Sequence, residues 1–214
     1  MKFENIIFDL DGTLIDSSEG IVEAVNYSLR MMNQPEQPDS VIRPFIGDAL
    51  SKMYPAFTDA PIDELCHHFK IKAADTVVRS TKSLEHVDSI LPELKSKGFR
   101  MSIASTKISR HIEDIIDILG WSEYFEVFVG GDDVKQVKPH PEAFRLALSR
   151  MGATPENSLV VGDTINDVLA AKDVPVKVIA VKSPYGGSEN LRNAEPDHFI
   201  NNITELSGLL SKLN

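Results

Sequence analysis

The stretch Ile6-Ile7-Phe8-Asp9-Leu10-Asp11-Gly12-Thr13-Leu14 decides how this chain is read. Three apolar residues that stop at once on a polar residue mark a buried strand of a parallel sheet. In open α/β sheets, ligands collect at the carboxyl ends of the strands. Here that end carries two carboxylates, Asp9 and Asp11, two positions apart. An Asp-Gly turn accounts for Asp11-Gly12. It leaves Asp9 directly behind an apolar run, where an unpartnered carboxylate is costly to desolvate. A metal ion or a basic partner removes that cost.

The same kind of run recurs at Met101-Ser102-Ile103-Ala104, Val127-Phe128-Val129, Leu159-Val160-Val161 and from Val176 to Val181. Helical stripes lie between them. Ile112, Ile115, Ile116 and Leu119 fall on one face, with Gly120 behind them. Phe144, Ala147, Leu148 and Met151 form another, opened by Pro141 and closed by Gly152. Strands alternating with helices predict a parallel sheet with right-handed crossovers. The alternation breaks between Asp16 and about Lys82, where Ile21, Val25, Leu29 and Met32, then Ile62, Leu65, Cys66, Phe69, Ala73 and Val77, give helical stripes and no convincing strand. A helical insert after the first strand is the simplest account. Asp16 with Glu19 could form a capping box at its start. Asn33 to Ser40 and Ser183 to Asn190 read as loops.

Three further strand ends carry polar groups. Gly162-Asp163-Thr164-Ile165-Asn166-Asp167 follows Leu159-Val160-Val161 and places two carboxylates four residues apart on a loop turning into a helix. Hard oxygen donors of this kind suit Mg²⁺. Capping of that helix by Asp163 or Asn166 explains the cluster equally well when it is taken alone. Ser105-Thr106-Lys107 puts hydroxyls and a cation after Ile103-Ala104, and Lys138 precedes Pro139-His140-Pro141. Hydroxyls, backbone N–H groups and an ammonium are what a phosphoryl group needs for orientation and charge stabilisation. Each residue also has a plain reading, as a helix cap or a solvated lysine.

The chain has 214 residues, 42% of them hydrophobic and 25% charged, which is ordinary globular usage for one large domain or a domain with an insert. A net charge of −10 without a long run of one sign opposes binding to nucleic acid and says little about small anions. The single cysteine, Cys66, fits a reducing compartment and a packing role. The opening residues lack a signal-peptide core, and no apolar run reaches membrane-spanning length, so a cytoplasmic protein away from membranes is expected.

Taken together and in this order, the motifs resemble those of the haloacid dehalogenase superfamily, and most closely its phosphoglycolate phosphatase-like members. Asp9-Leu10-Asp11-Gly12-Thr13-Leu14 matches the first motif at every position. Ser105 matches the second, Lys138 the third, and Gly162-Asp163-Thr164 with Asp167 the fourth. The likeness spans nearly the whole chain. It departs at Thr106, where many relatives carry asparagine before the lysine, and at Lys172-Asp173-Val174, where many read Ala-Gly.

The resemblance implies an α/β fold with a Rossmann-like core of residues 1–15 and 82–214 and an α-helical cap of residues 16–81. It implies a Mg²⁺-dependent phosphatase acting on a small phosphorylated metabolite through an aspartyl-phosphate. Asp9 would be the nucleophile and Asp11 the acid and base. Asp9, Asp163, Asp167 and the backbone carbonyl of Asp11 would hold the metal. Ser105 and Lys138 would grip the phosphoryl group, with Gly12, Thr106 and the cap residue Arg43 also on the substrate side. A phosphomutase and an inorganic pyrophosphatase are the rival activities within the family. Dehalogenation is opposed by Asp11 and by the paired Asp163 and Asp167. Whether the protein is a monomer or a homodimer is left open by the sequence.

Overall fold

Every residue of the first strand, β1 (Asn5–Phe8), is buried, because both faces of a central parallel strand are covered by helices. The computed structural model describes residues 3–214. After β1 come β2 (Ile15–Asp16), α1 (Ser18–Met31), α2 (Asp39–Ile42), α3 (Leu50–Met53), α4 (Ile62–Ser80), β3 (Lys82–Ser83) and α5 (Val87–Ser96). Then follow β4 (Arg100–Ala104), α6 (Ser109–Ile118), β5 (Phe125–Val129), α7 (Glu142–Met151), β6 (Ser158–Gly162) and α8 (Ile165–Lys172). The chain closes with β7 (Lys177–Val181), α9 (Ser188–Asn193), β8 (His198–Ile200) and α10 (Glu205–Leu213).

Six strands form one sheet in the order β5-β4-β1-β6-β7-β8, and all of its pairings are parallel. The α/β fold expected from the sequence is therefore present. β1 lies between β4 and β6, with Phe8 opposite both Ile103 and Val161. Connections leave β1 toward β4 and β5 on one side and return to β6 on the other. This reversal opens a crevice at the carboxyl end of β1. Apolar layers pack on both faces of the sheet. One gathers α5, α6 and α10 around Ile6, Phe8, Leu91, Ile115 and Leu206. The other gathers α7 and α8 around Ile7, Phe144, Ala147 and Val168.

The five sequence-predicted strands all form, and α6 and α7 end just before Gly120 and Gly152, both left-handed. β8 was not foreseen, since three residues are too few to show a period.

Residues 18–80 hold helices and build a separate apolar cluster. Ile21, Val25 and Leu29 of α1 pack with Leu65, Ala73 and Val77 of α4, closed by Ile42, Met53 and Tyr54. Each such side chain contributes roughly 1.5–3 kcal/mol by leaving water. The reading of this stretch as free of strands needs one correction. Its ends pair as a short antiparallel ribbon, Ile15 with Ser83 and Asp16 with Lys82, which joins the insert to the sheet by two adjacent strands. The capping box expected from Asp16 and Glu19 does not form: Ser17 is the N-cap, with no side-chain cap bond, and the Ser18 N–H donates to Asp16 Oδ1 at 2.9 Å. Cys66 is half-buried, and burial pushes its thiol pKa up.

Candidate active site

The carboxyl ends of β1, β4 and β6 meet in the crevice, each delivering one of the residues picked out from the sequence. Asp9 follows β1, held by its N–H donating to the Val161 carbonyl at 2.8 Å. Ser105 follows β4 with its N–H on the Val129 carbonyl at 2.9 Å. Asp163 follows β6. Lys138 arrives from the loop between β5 and α7, and all four are buried.

Lys138 is the centre of this arrangement. Its Nζ donates to Asp9 Oδ1 at 2.5 Å, to Asp167 Oδ1 at 2.6 Å and to the Ala104 carbonyl at 3.0 Å. Burial alone would lower the Lys138 pKa, but the Asp167 and Asp9 carboxylates more than reverse this, and the net direction is up. The two carboxylates thus favour the ammonium form.

Two of the acidic residues are also raised, which for a carboxyl favours the neutral form. Asp9 is raised to about 7, first because burial removes water from its carboxylate, with Asp167 and Asp11 adding repulsion and Lys138 offsetting part of it. Asp163 is raised well above the usual range by burial, by Asp9 and by Asp167. Carboxylate oxygens of Asp9, Asp163 and Asp167 come within 4.8 Å of one another.

The backbone around this cluster is built for close approach. Gly12 has φ +82°, and a Cβ there would stand 2.1 Å from Asp163 Oδ2. Gly162 would likewise drive a Cβ to 2.5 Å from Asp167 Cγ. Only glycine lets both aspartates close on the crevice. Asp163 Oδ1 accepts from Thr13 Oγ1 at 3.1 Å, whereas its buried Oδ2 has no hydrogen-bond partner among the described residues.

A divalent cation fits this set. The buried groups are four carboxylates, Asp9, Asp11, Asp163 and Asp167, against two ammonium groups, Lys138 and Lys107. The excess is two negative charges, in an all-oxygen donor environment of the kind Mg²⁺ prefers. A divalent cation would offset the repulsion and burial that raise Asp9 and Asp163, and Asp163 Oδ2 is available to it.

Several expected residues take parts that the sequence did not show. Asp11 turns its carboxylate out of the three-aspartate cluster. It accepts from Ser17 Oγ, and Lys107 Nζ lies 3.2 Å from its Oδ2. Gly12 was expected on the substrate side. Its N–H donates to the Ile15 carbonyl at 2.8 Å and is engaged within the turn. The Thr106 hydroxyl donates to the Gly47 carbonyl at 3.3 Å and ties the insert loop to the sheet. The Arg43 guanidinium donates to Ser18 Oγ at 2.6 Å and reaches Asp39 at 3.5 Å, and neither bond goes to the cluster. Asp167 has both oxygens engaged, Oδ1 by Lys138 and Oδ2 by the N–H and hydroxyl of Thr164. The helix cap is thus Thr164 with Asp167, not Asp163 or Asn166. Capping and a place in the cluster coexist in one carboxylate.

Lys107, Ser17 and Thr13 were not singled out as site residues. Lys107 had a signal, a cation directly after the β4 hydroxyls. Ser17 and Thr13 had none, since a hydroxyl near a turn is common.

Comparison with known proteins agrees with this geometry. Pyrophosphatase PpaX of Bacillus cereus (strain AH820) is 31% identical over 214 residues, covering 100% of this chain and 99% of the relative. A solved structure from Bacteroides fragilis, described as a haloacid dehalogenase-like hydrolase, superposes with a TM-score of 0.90 at 28% identity, over 96% of this chain and 100% of that one. A predicted phosphoglycolate phosphatase from Haemophilus somnus 129PT has a TM-score of 0.87 over 98% of both chains, and at 22% identity it speaks for the fold alone. The family described as haloacid dehalogenase-like hydrolase matches residues 6–181, which take in β1 from Ile6 onward, the insert and every cluster residue. The chain belongs to the haloacid dehalogenase-like hydrolase family.

Proposed function

We propose that this protein is a Mg²⁺-dependent phosphatase of small phosphorylated metabolites, with Asp9 as the nucleophile. The observation that carries the reading is the buried Lys138 ammonium bonded at once to Asp9 and Asp167, beside Asp163, whose buried Oδ2 makes no full hydrogen bond among the described residues. A carboxylate attacking a phosphoryl group must be anionic and aimed, and Lys138 favours the anion and aims it. Asp9 and Asp163 would hold the metal with the Asp11 carbonyl, and Asp167 closes the set. The ion supplies charge neutralisation between the carboxylate and the phosphoryl oxygens.

The remaining steps belong to the chain. Ser105, buried at the end of β4 next to Ala104, whose carbonyl accepts from Lys138, orients the phosphoryl oxygens. Asp9 forms a bond to phosphorus as the leaving oxygen departs, and Asp11 gives that oxygen a proton. Asp11 then takes a proton from the water that hydrolyses the aspartyl-phosphate. Lys107 and Ser17 hold the Asp11 carboxylate apart from Asp9, Asp163 and Asp167, and its proton transfer requires the Lys107 contact to give way. Residues 16–81 act as a cap over the crevice, since the Gly47 carbonyl and Asp48 reach Thr106 and Asn166 of the core.

Pyrophosphate is the first substrate to test, because the PpaX relatives match this chain from end to end. Phosphoglycolate is the second, on the motif resemblance. Phosphate release should be measured over a panel of pyrophosphate, phosphoglycolate and sugar phosphates, with Mg²⁺ and with excess chelator. Turnover of one small substrate in Mg²⁺ alone is expected. Equal turnover in chelator, or none on any phosphate compound, would overturn the reading.

A further inference from the structure

The loop after β7 belongs by sequence to the sheet, yet its aromatic residue is part of the insert. Tyr185 is 8% exposed, and its ring packs in the cluster formed by Ile21, Val25 and Tyr54. Its hydroxyl donates to Asp16 Oδ1 at 3.0 Å. That same oxygen accepts the Ser18 N–H at the start of α1, and Asp16 pairs with Lys82 in the ribbon joining insert and sheet.

The loop is also fixed at its other end. Lys182 N–H donates to the Ile200 carbonyl at 3.0 Å, and Tyr185 N–H donates to Ser183 Oγ at 3.2 Å. β7 pairs directly with β6, the strand that delivers Asp163. Gly186 and Gly187, at φ +104° and +76°, follow the tyrosine and let the chain reverse into α9. One side chain therefore spans three parts: the sheet edge of the site, the connecting ribbon and the interior of the insert.

We infer that Tyr185 is a positioning residue that fixes the register of the helical insert over the crevice, by tying Asp16 of the ribbon to the loop after β7. A rigid-body movement of the insert must either break the Tyr185–Asp16 bond or carry the loop with it. The charged acceptor makes the bond stronger than one between neutral groups.

The test uses Tyr185→Phe, which keeps the ring in the apolar cluster and removes only the hydroxyl. Hydrogen exchange of the intact protein is compared with wild type. Amides of the ribbon and the first turns of α1 should exchange about tenfold faster, the effect of losing one hydrogen bond to a charged group. Amides of β1 and β6 should be unchanged. Unchanged exchange at α1, or equal acceleration in β1 and β6, would overturn the inference. A second arm rests on the phosphatase reading. In it Tyr185→Phe should raise KM for the best panel substrate about fivefold or more, by a population shift away from the closed insert, with the melting temperature of the core held. Loosened α1 with wild-type KM and kcat would refute the positioning role. A wild type without turnover would count against the phosphatase reading and leave the exchange arm decisive.

Discussion

Asp163 rests its carboxylate against the bare Cα of Gly12, so closely that a Cβ there would lie 2.1 Å from Oδ2. This contact joins the first and last motifs of the chain, 151 positions apart by their residue numbers. It predicts the behaviour of Gly12→Ala. The left-handed backbone costs about 1–2 kcal/mol for a residue with a Cβ, and Asp163 must retreat from the crevice. Mg²⁺ affinity measured by calorimetry should fall by about tenfold or more, with only a modest loss of thermal stability. Wild-type affinity in a folded Gly12→Ala protein would show that Asp163 does not hold the ion.

Removal of the central ammonium should be felt in stability as well as in activity. Lys138→Met strips the partner from two buried carboxylates, Asp9 and Asp167. Breaking a buried pair in this one-sided way costs about 3–5 kcal/mol, or on the order of 10 °C in melting temperature for a chain of this size. The loss should be smaller at pH 5 than at pH 8, because a protonated Asp9 no longer needs the cation. A loss that is the same at both pH values would contradict the charge argument.

The raised carboxylates set a sign for pH dependence. Asp9 at about 7 and Asp163 well above the usual range hold protons in the folded state that the unfolded chain has already released. Between about pH 4 and 7 the folded state therefore binds more protons, and stability without metal falls as pH rises. Denaturant unfolding in chelator should show a higher midpoint at pH 5 than at pH 7.5. Mg²⁺ should reverse this order and release protons on binding at pH 6. A chelated protein that grows more stable toward pH 7.5 would rule out the raised pair.

Much of this was legible in the sequence, and the reasons differ by residue. The strands that carry the site are short apolar runs ending on polar residues, and buried parallel strands leave that mark wherever they occur. Asp9 and Asp163 stood out because each follows such a run, and Lys138 because it precedes the proline-opened helix. Gly12 and Arg43 were placed on the substrate side from position alone. The structure gives the Gly12 N–H to Ile15 and the Arg43 guanidinium to Ser18. Donor direction depends on tertiary neighbours, which spacing does not encode. The Tyr185–Asp16 bond joins residues with no shared periodicity, so no pattern in either segment announces it.

The bond from Arg43 to Ser18 changes what its removal should do. If the guanidinium read a second anion of the substrate, Arg43→Ala would harm pyrophosphate and spare p-nitrophenyl phosphate. Its place at the start of α1 predicts similar losses on both, roughly fivefold or less in kcat/KM, about 1 kcal/mol for one surface-side hydrogen bond. Kinetics on the two substrates decide between these roles.

The central claim, that Asp9 attacks phosphorus, is tested most directly by trapping the intermediate. Asp11→Asn keeps the nucleophile and its Lys138 partner but cannot activate water. Mixed with p-nitrophenyl phosphate, whose leaving group needs no acid, and quenched in acid, it should carry the mass of one phosphoryl group on the peptide containing Asp9. The same peptide from Asp9→Asn should carry none. A phosphoryl group on any other residue, or turnover retained in Asp9→Asn, would contradict the account.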